Sequence, residues 1–312
     1  MGRNKITIVG AGNVGATAAF IAAIEQLGDI VLIDIVDGLA QGKALDMAEA
    51  GPVQKYDCKI TGTTDWADTV GSDIVIITSG LPRKPGMSRD DLLAKNTEIV
   101  KSVVTQAAKH SPDAFIIVVC NPLDAMVNAA AKVSGFAKNK VMGMAGALDS
   151  ARFTHFISEK LNVSVEDVQC VLMGGHGDDM VPLPRFTTVG AVPLTELMDK
   201  DTITQLVERT RKGGIEVVNL LGTSAFYAPA AGAIKMAKAI LKDTKTRMPC
   251  CAYCDKEYNV GGYFVGVPAI LGSGGVEKVL ELDLNEQEKT DMAVSVKHVQ
   301  ELVEKVEAIL SI

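Results

Sequence analysis

The chain has 312 residues, 47 % apolar and 22 % charged, with 31 basic against 38 acidic side chains for a net charge of −7. A chain of this length buries a substantial core without covalent staples, and the composition is that of an ordinary soluble globular protein. Neither sign of charge forms a run suited to nucleic acid or an anionic membrane, and no segment approaches ~18 uninterrupted apolar residues, so any anionic ligand must be caught by a local site.

Residues Met1-Gly2-Arg3-Asn4-Lys5 lead straight into an apolar run at 6–9, so neither a signal nor a transit peptide is expected. Met1-Gly2 raises myristoylation, but Ile6 stands where that signal needs Ser or Thr, and the cytoplasm is the expected compartment. The run at 6–9 reads as a strand, and Gly10-Ala11-Gly12-Asn13-Val14-Gly15 follows it. Next come a small-residue helical pattern at 14–27, the break Gly28-Asp29, and an apolar strand ending in Asp34. Strand, phosphate turn, helix, strand and acid in that order define a dinucleotide site. Gly10 allows the tight exit from the strand, Gly12 lets the backbone approach a pyrophosphate, and Gly15 lets the helix pack on the sheet. Around Asn13 and Val14 the helix start offers free amides and a positive dipole end to phosphate. Asp34 is spaced to accept both ribose hydroxyls of adenosine and to repel a 2′-phosphate, which favours NAD over NADP. The competing reading of Asp34 is a solvated acid ending a buried strand.

Strand-like runs at 73–78, 114–119 and 140–144 then alternate with helical patterns at 39–50, 90–109 and 124–134. This predicts an α/β fold, a Rossmann doubly wound parallel sheet covered on both faces. The pattern changes between 145 and 150, where a helix at 150–161 leads into a strand at 168–173 and a glycine-rich loop. The expected division is a Rossmann domain at 1–146 and an α+β substrate-binding, catalytic domain at 147–312. The second half holds strands at 248–254 and 263–271, joined through Asn259-Val260-Gly261-Gly262. A long helix at 284–310 carries Val294, Val296, Val299, Leu302, Val303, Val306 and Leu310 as its apolar stripe. Cys58, Cys120, Cys170, Cys250, Cys251 and Cys254 read as reduced and buried. Cys251-x-x-Cys254 also has the spacing of a redox couple or half a zinc site, but no second pair or nearby His completes four ligands.

Three segments carry groups suited to chemistry. Gly174-Gly175-His176-Gly177-Asp178 is a loop after a buried strand, where glycines let a ligand approach the imidazole. A histidine so placed accepts a hydroxyl proton while hydride leaves the same carbon, if a carboxylate holds its other nitrogen. In isolation it reads equally as a structural histidine. In Leu148-Asp149-Ser150-Ala151-Arg152 a helix puts Asp149 and Arg152 on one face, an acid to orient the imidazole and a fork to grip a substrate carboxylate, or else a surface ion pair. The loop 81–89 carries Arg83 and Arg89 at the carboxyl end of a strand, where open α/β folds bind ligands. It reads as a lid that excludes water and polarises a carbonyl, or as a solvated basic loop.

Across essentially its whole length the chain resembles the lactate and malate dehydrogenase superfamily, through GAGNVG, LDID, RKPGMSR, CNPLDA, LDSARF and GGHGDDMVPLP in the family's order and approximate spacing. The resemblance implies an NAD-dependent oxidoreductase in which His176 carries the proton, Asp149 is its partner and Arg152 clamps the C1 carboxylate. It further implies that Arg89 polarises the substrate carbonyl from a mobile loop. Asn121 contacts the nicotinamide ribose and substrate, Asn96 lies on the cofactor side, and Val119 lends backbone to the nicotinamide pocket. At the Arg83 position lactate enzymes carry Gln and malate enzymes carry Arg, so the resemblance implies a small dicarboxylate substrate, malate and oxaloacetate, and a place in the tricarboxylic acid cycle. The physics agrees, because a second buried carboxylate needs a cationic partner. The alternatives are a lactate or other 2-hydroxyacid dehydrogenase, and a catalytically silent NAD-binding redox sensor using Cys251 and Cys254. The family pattern also implies a homo-oligomer, a tetramer favoured over a dimer, with no resident metal.

Overall fold

The computed structural model describes residues 2–82 and 87–311. Six parallel strands, β1 (Lys5–Val9), β2 (Asp29–Ile33), β3 (Ile60–Thr63), β4 (Ile74–Ile77), β5 (Phe115–Val118) and β6 (Val141–Gly143), lie in the order β3-β2-β1-β4-β5-β6. Sequence reading passes over β3 because Ile60-Thr61-Gly62-Thr63 carries one large apolar side chain. The other strands are apolar apart from Lys5 and Thr7 in β1 and Asp29 in β2, because both faces of the sheet are covered. In β4, Ile74 and Ile76 enter the core under helix α1 (Asn13–Ile24) and the helix Tyr227–Leu241. Val75 and Ile77 enter the opposite core, under α3 (Arg89–His110) and α4 (Leu123–Ser134); α2 (Leu39–Gln54) precedes β3 in the chain. All four side chains are at most 1 % exposed, each contributing about 1.5–3 kcal/mol by burial. The buried positions of α1 are Gly15, Ala18, Ala19, Ala22 and Ala23, which lets that helix ride close to the strands.

The strand order reverses at β1, with β2 on one side and β4 on the other. A crevice opens beyond the carboxyl ends of strands at such a point.

The sheet does not stop with the first half. Strand Thr246–Cys254 joins it antiparallel to β6, with Cys251 opposite Gly143, and strands Tyr263–Gly272, Leu172–Gly174 and Met180–Pro182 follow. Asn128 of α4 binds both backbone groups of Phe264 at 3.2 Å, tying the two halves together. The strand expected at 168–173 is two strands. Val168–Gln169 belongs to a separate three-stranded sheet and Leu172–Gly174 to the large one. Between them Val171 exchanges bonds with Leu183 and Thr187 instead of a continuous ladder. The last helix, Glu286–Leu310, starts at a capping box of Asn285 and Glu288. Its buried stripe runs through Met292, Ser295, Val296, Val299, Val303, Val306 and Leu310. Val294, expected in that stripe, is 51 % exposed, because it sits two residues from each of Met292 and Val296 and turns away from the sheet.

Candidate active site

The phosphate turn is built at the strand-order reversal. Gly10 has φ +102°, and Thr78 Oγ1 donates to the carbonyls of Val9 and Gly10 at 3.0 and 3.1 Å. A Cβ on Gly15 would lie 1.9 Å from the Gly10 carbonyl oxygen, so α1 passes the turn at a distance only glycine permits. Gly12 caps α1 without a side chain, and a Cβ there would meet nothing within 4 Å. The first amides of α1 are thus left for a ligand, and an anionic pyrophosphate suits both their hydrogen bonds and the helix dipole. Asp34 ends up close by, Oδ2 accepting from the Ala11 amide at 2.6 Å and Oδ1 from Val36 at 3.0 Å. Lys43 Nζ donates to the Ala11 carbonyl at 2.7 Å, so both main-chain polar groups of Ala11 are held. No sequence signal singles out Lys43, since it belongs to no recognisable motif.

A cavity of about 610 Å³ is lined by Gly12, Asn13, Val14 and Gly15, by Val119 and Asn121, and by Arg152 and His176. It therefore spans both halves of the chain. Helix α5 (Gly146–Leu161) starts four residues earlier than the pattern at 150–161 suggests, which puts Asp149 within its first turn. His176 follows strand Leu172–Gly174, and its Nδ1–H donates to Asp149 Oδ2 at 2.8 Å. That bond leaves Nε2 as the free nitrogen of the ring. Arg152 Nη1 donates to Asp149 Oδ1 at 3.4 Å. Asp149 is 2 % exposed, so this is a buried couple and not a surface ion pair. Burial works against a charged imidazole, but the Asp149 carboxylate, helped by Asp124, more than offsets it and holds His176 above the ordinary histidine range. Arg152 opposes that rise. For Arg152 itself burial outweighs Asp149 and lowers the guanidinium from its ordinary value. A Cβ on Gly213 would lie 3.0 Å from Arg152 Cδ. The Gly213-Gly214 pair inside a helical stretch was the available sign of such a close approach.

Other expected residues lie elsewhere. Asn96 is fully buried and does not line the cavity: its Oδ1 accepts from Leu81 at 2.8 Å, and its Nδ2 donates to the Leu81 and Asn121 carbonyls at 3.2 and 2.6 Å. It braces the loop that presents Asn121. Arg89 opens α3, with its side chain 82 % exposed and 4.0 Å from Asp178 Oδ2, outside the cavity wall. Arg83 lies outside the described residues. Arg211 and the segment Thr223-Ser224-Ala225 line the cavity without having been signalled by any motif.

Cys250, Cys251 and Cys254 are free and buried. Burial pushes the thiols of Cys250 and Cys254 up to about 12 and that of Cys251 also upward. Such thiols stay protonated and unreactive, which argues against the redox-couple reading. Among the described residues no group of His, Cys, Asp and Glu is arranged to hold a metal ion, and no helix is long and apolar enough to cross a membrane.

A dinucleotide turn and a buried His–Asp couple opening on one cavity define a class, the Rossmann oxidoreductases that work with NAD. The chain belongs to the lactate/malate dehydrogenase family: the model of its NAD binding domain matches residues 4–143 and that of its alpha/beta C-terminal domain matches 146–310. A malate dehydrogenase of Salinibacter ruber is 57 % identical over 296 residues, 95 % of this chain and 94 % of that one. The solved malate dehydrogenase of Salinibacter ruber superposes with a TM-score of 0.95 at 52 % identity, covering 98 % of this chain and 99 % of that one. The lactate dehydrogenase of Cryptosporidium parvum, solved with lactic acid and nicotinamide adenine dinucleotide, also reaches 0.95, at 43 % identity and the same coverage. Backbone likeness of this degree spans both substrates, so the choice between them falls to side chains.

Proposed function

We propose that the chain is an NAD-dependent malate dehydrogenase, interconverting (S)-malate and oxaloacetate, as its relatives' names suggest. The observation that carries the reading is the 2.8 Å His176–Asp149 bond on the wall of the cavity that also holds the phosphate turn. Bound NAD would supply the acceptor for the hydride that leaves malate C2. Gly10, Gly12, Asn13, Val14 and Gly15 hold the pyrophosphate, Asp34 the adenosine ribose, and Val119 and Asn121 the nicotinamide end. Asn96 serves that end by bracing Asn121. His176 Nε2 takes the malate hydroxyl proton, and Asp149 stabilises the imidazolium that results. In reverse the same nitrogen returns the proton to the ketone oxygen of oxaloacetate. Arg152 grips the C1 carboxylate through two parallel bonds and Arg83 the second carboxylate. Arg89, moving from its exposed position at the start of α3, reaches the carbonyl and polarises it.

Arg83→Gln is the substitution that tests the substrate. With that cation gone, the ratio of kcat/KM for oxaloacetate over pyruvate is expected to fall by up to ~10⁴-fold, since a site built for a polar partner rejects what leaves it unpaired. An unchanged ratio removes Arg83 from substrate selection. The raised His176 also sets a pH dependence. Oxaloacetate reduction needs the protonated ring, so its kcat/KM is expected to fall as pH rises through a value above the ordinary histidine range. Malate oxidation needs the neutral ring and gains over the same window. Initial rates in both directions from about pH 5 to 9 check this, and profiles that move together contradict it.

The reading extends to a place in the tricarboxylic acid cycle and to the cytoplasm, where reduced, buried cysteines are at home. It includes a division into domains 1–146 and 147–312, close to the start of α5 at Gly146. It also includes a homo-oligomer, a tetramer before a dimer. Leu45 and Val53 on α2, 61 % and 77 % exposed, and Ile24 on α1, 44 % exposed, are large apolar side chains that self-association would cover.

A further inference from the structure

His176 is held by more than Asp149. Two consecutive main-chain amides end on buried side chains from two different helices. Gly175 N–H donates to Ser295 Oγ at 2.8 Å, from the C-terminal helix, and His176 N–H donates to Asp124 Oδ2 at 2.8 Å, from the first turn of α4. Asp124 is 5 % exposed and Ser295 3 %. The Ser295 hydroxyl also donates to the Asp179 carbonyl at 2.7 Å, so it joins the two ends of the loop that carries the imidazole. The loop is pressed against Ser295 and in ordinary contact with Asp124. A Cβ on Gly174 would lie 2.6 Å from Ser295 Oγ, and one on Gly175 would lie 3.5 Å from Asp124 Oδ2.

The carboxyl of Asp124 is an unusual choice for such a place. Burial pushes it up, against the His176 amide and the neighbouring Cys251 thiol, which lower it. A buried carboxyl is retained only where bonds compensate its desolvation; here the His176 amide donates to Oδ2 at 2.8 Å and the Cys251 thiol lies beside the carboxyl. The bond from the amide needs an acceptor oxygen, which the carboxyl supplies in either form and most strongly when charged.

We propose that Asp124 is a positioning residue for proton transfer, fixing the His176 main chain where the ring, gripped by Asp149, presents its free nitrogen to the cavity, with Ser295 fixing the preceding amide. Three side chains on α4, α5 and the C-terminal helix thus set one imidazole. This rests on the reading of His176 as the proton carrier, and the experiment separates the two.

Full-length Asp124→Ala, Asp124→Asn, Ser295→Ala and His176→Asn are compared with the unaltered protein for kcat and KM with oxaloacetate and for NADH affinity by its fluorescence. Asp124→Ala removes the acceptor and is expected to lower kcat by ~10²-fold with NADH affinity unchanged, the scale of a small displacement of a reacting group. Asp124→Asn keeps an acceptor oxygen and is expected to recover most of that loss. Ser295→Ala is expected to lower kcat by about tenfold, and it decides the matter if Asp124→Ala does not fold. Full turnover in folded Asp124→Ala, or an Asn variant no faster than the Ala variant, overturns the anchor while an inert His176→Asn leaves the base assignment standing. Full turnover in His176→Asn removes the assignment on which the anchor depends.

Discussion

His176→Asn is expected to lower kcat in both directions by about 10²–10⁴-fold, the range over which a positioned acid or base acts. NADH affinity is expected to stay nearly unchanged, because the phosphate turn is built by β1 and α1, elements that do not carry the ring. Asn fills much of the imidazole volume and keeps the main-chain amide bonded to Asp124, so the loop has no cause to move. What it lacks is a nitrogen able to exchange a proton near neutral pH. Stopped-flow measurement of a single turnover isolates hydride transfer from product release. A variant that transfers hydride at the rate of the unaltered protein removes His176 from the chemistry.

Arg152→Lys is expected to act through the substrate. Lysine keeps the charge but replaces a planar fork by a single ammonium, so one of two parallel bonds to the C1 carboxylate is lost. A charge-assisted bond contributes about 1.5–3 kcal/mol, which corresponds to a loss of roughly 10- to 100-fold in kcat/KM. The Arg152 side chain is 15 % exposed and lies against Gly213, so the shorter lysine also leaves space beside that glycine. Steady-state kinetics with oxaloacetate measure the loss, and NADH affinity is expected to hold. An unchanged kcat/KM for oxaloacetate places the clamp elsewhere.

The first half of the chain is legible because its code is local. Gly10, Gly12, Gly15 and Asp34 sit at spacings dictated by one turn, and continuous apolar runs such as Ile74-Val75-Ile76-Ile77 are what a strand covered on both faces must be. The second half is less legible because its order comes from contacts distant in sequence. Val168–Gln169 and Leu172–Gly174 look like one strand until Leu183 and Thr187 divide them. The pairing of His176 with Asp149, 27 residues apart, was expected, because each carries a motif and the chemistry requires them to meet. Asp124 and Ser295 were missed as partners of that loop, since nothing local tells a carboxyl or hydroxyl that it will meet an amide from another element. The resemblance puts Asn96 on the cofactor side, and its bonds run to Leu81 and Asn121, both on the cavity wall. Arg89 shows the other kind of gap, because nothing local in the sequence tells that its side chain stands 82 % exposed at the start of α3, outside the cavity wall.

The most direct test of the account is the initial rate of NADH oxidation by the purified protein with oxaloacetate and with pyruvate, each across a concentration series. The account predicts a kcat/KM ratio strongly favouring oxaloacetate. A preference for pyruvate contradicts the substrate assignment and the role of Arg83, and absence of turnover with either contradicts the proposed chemistry at His176.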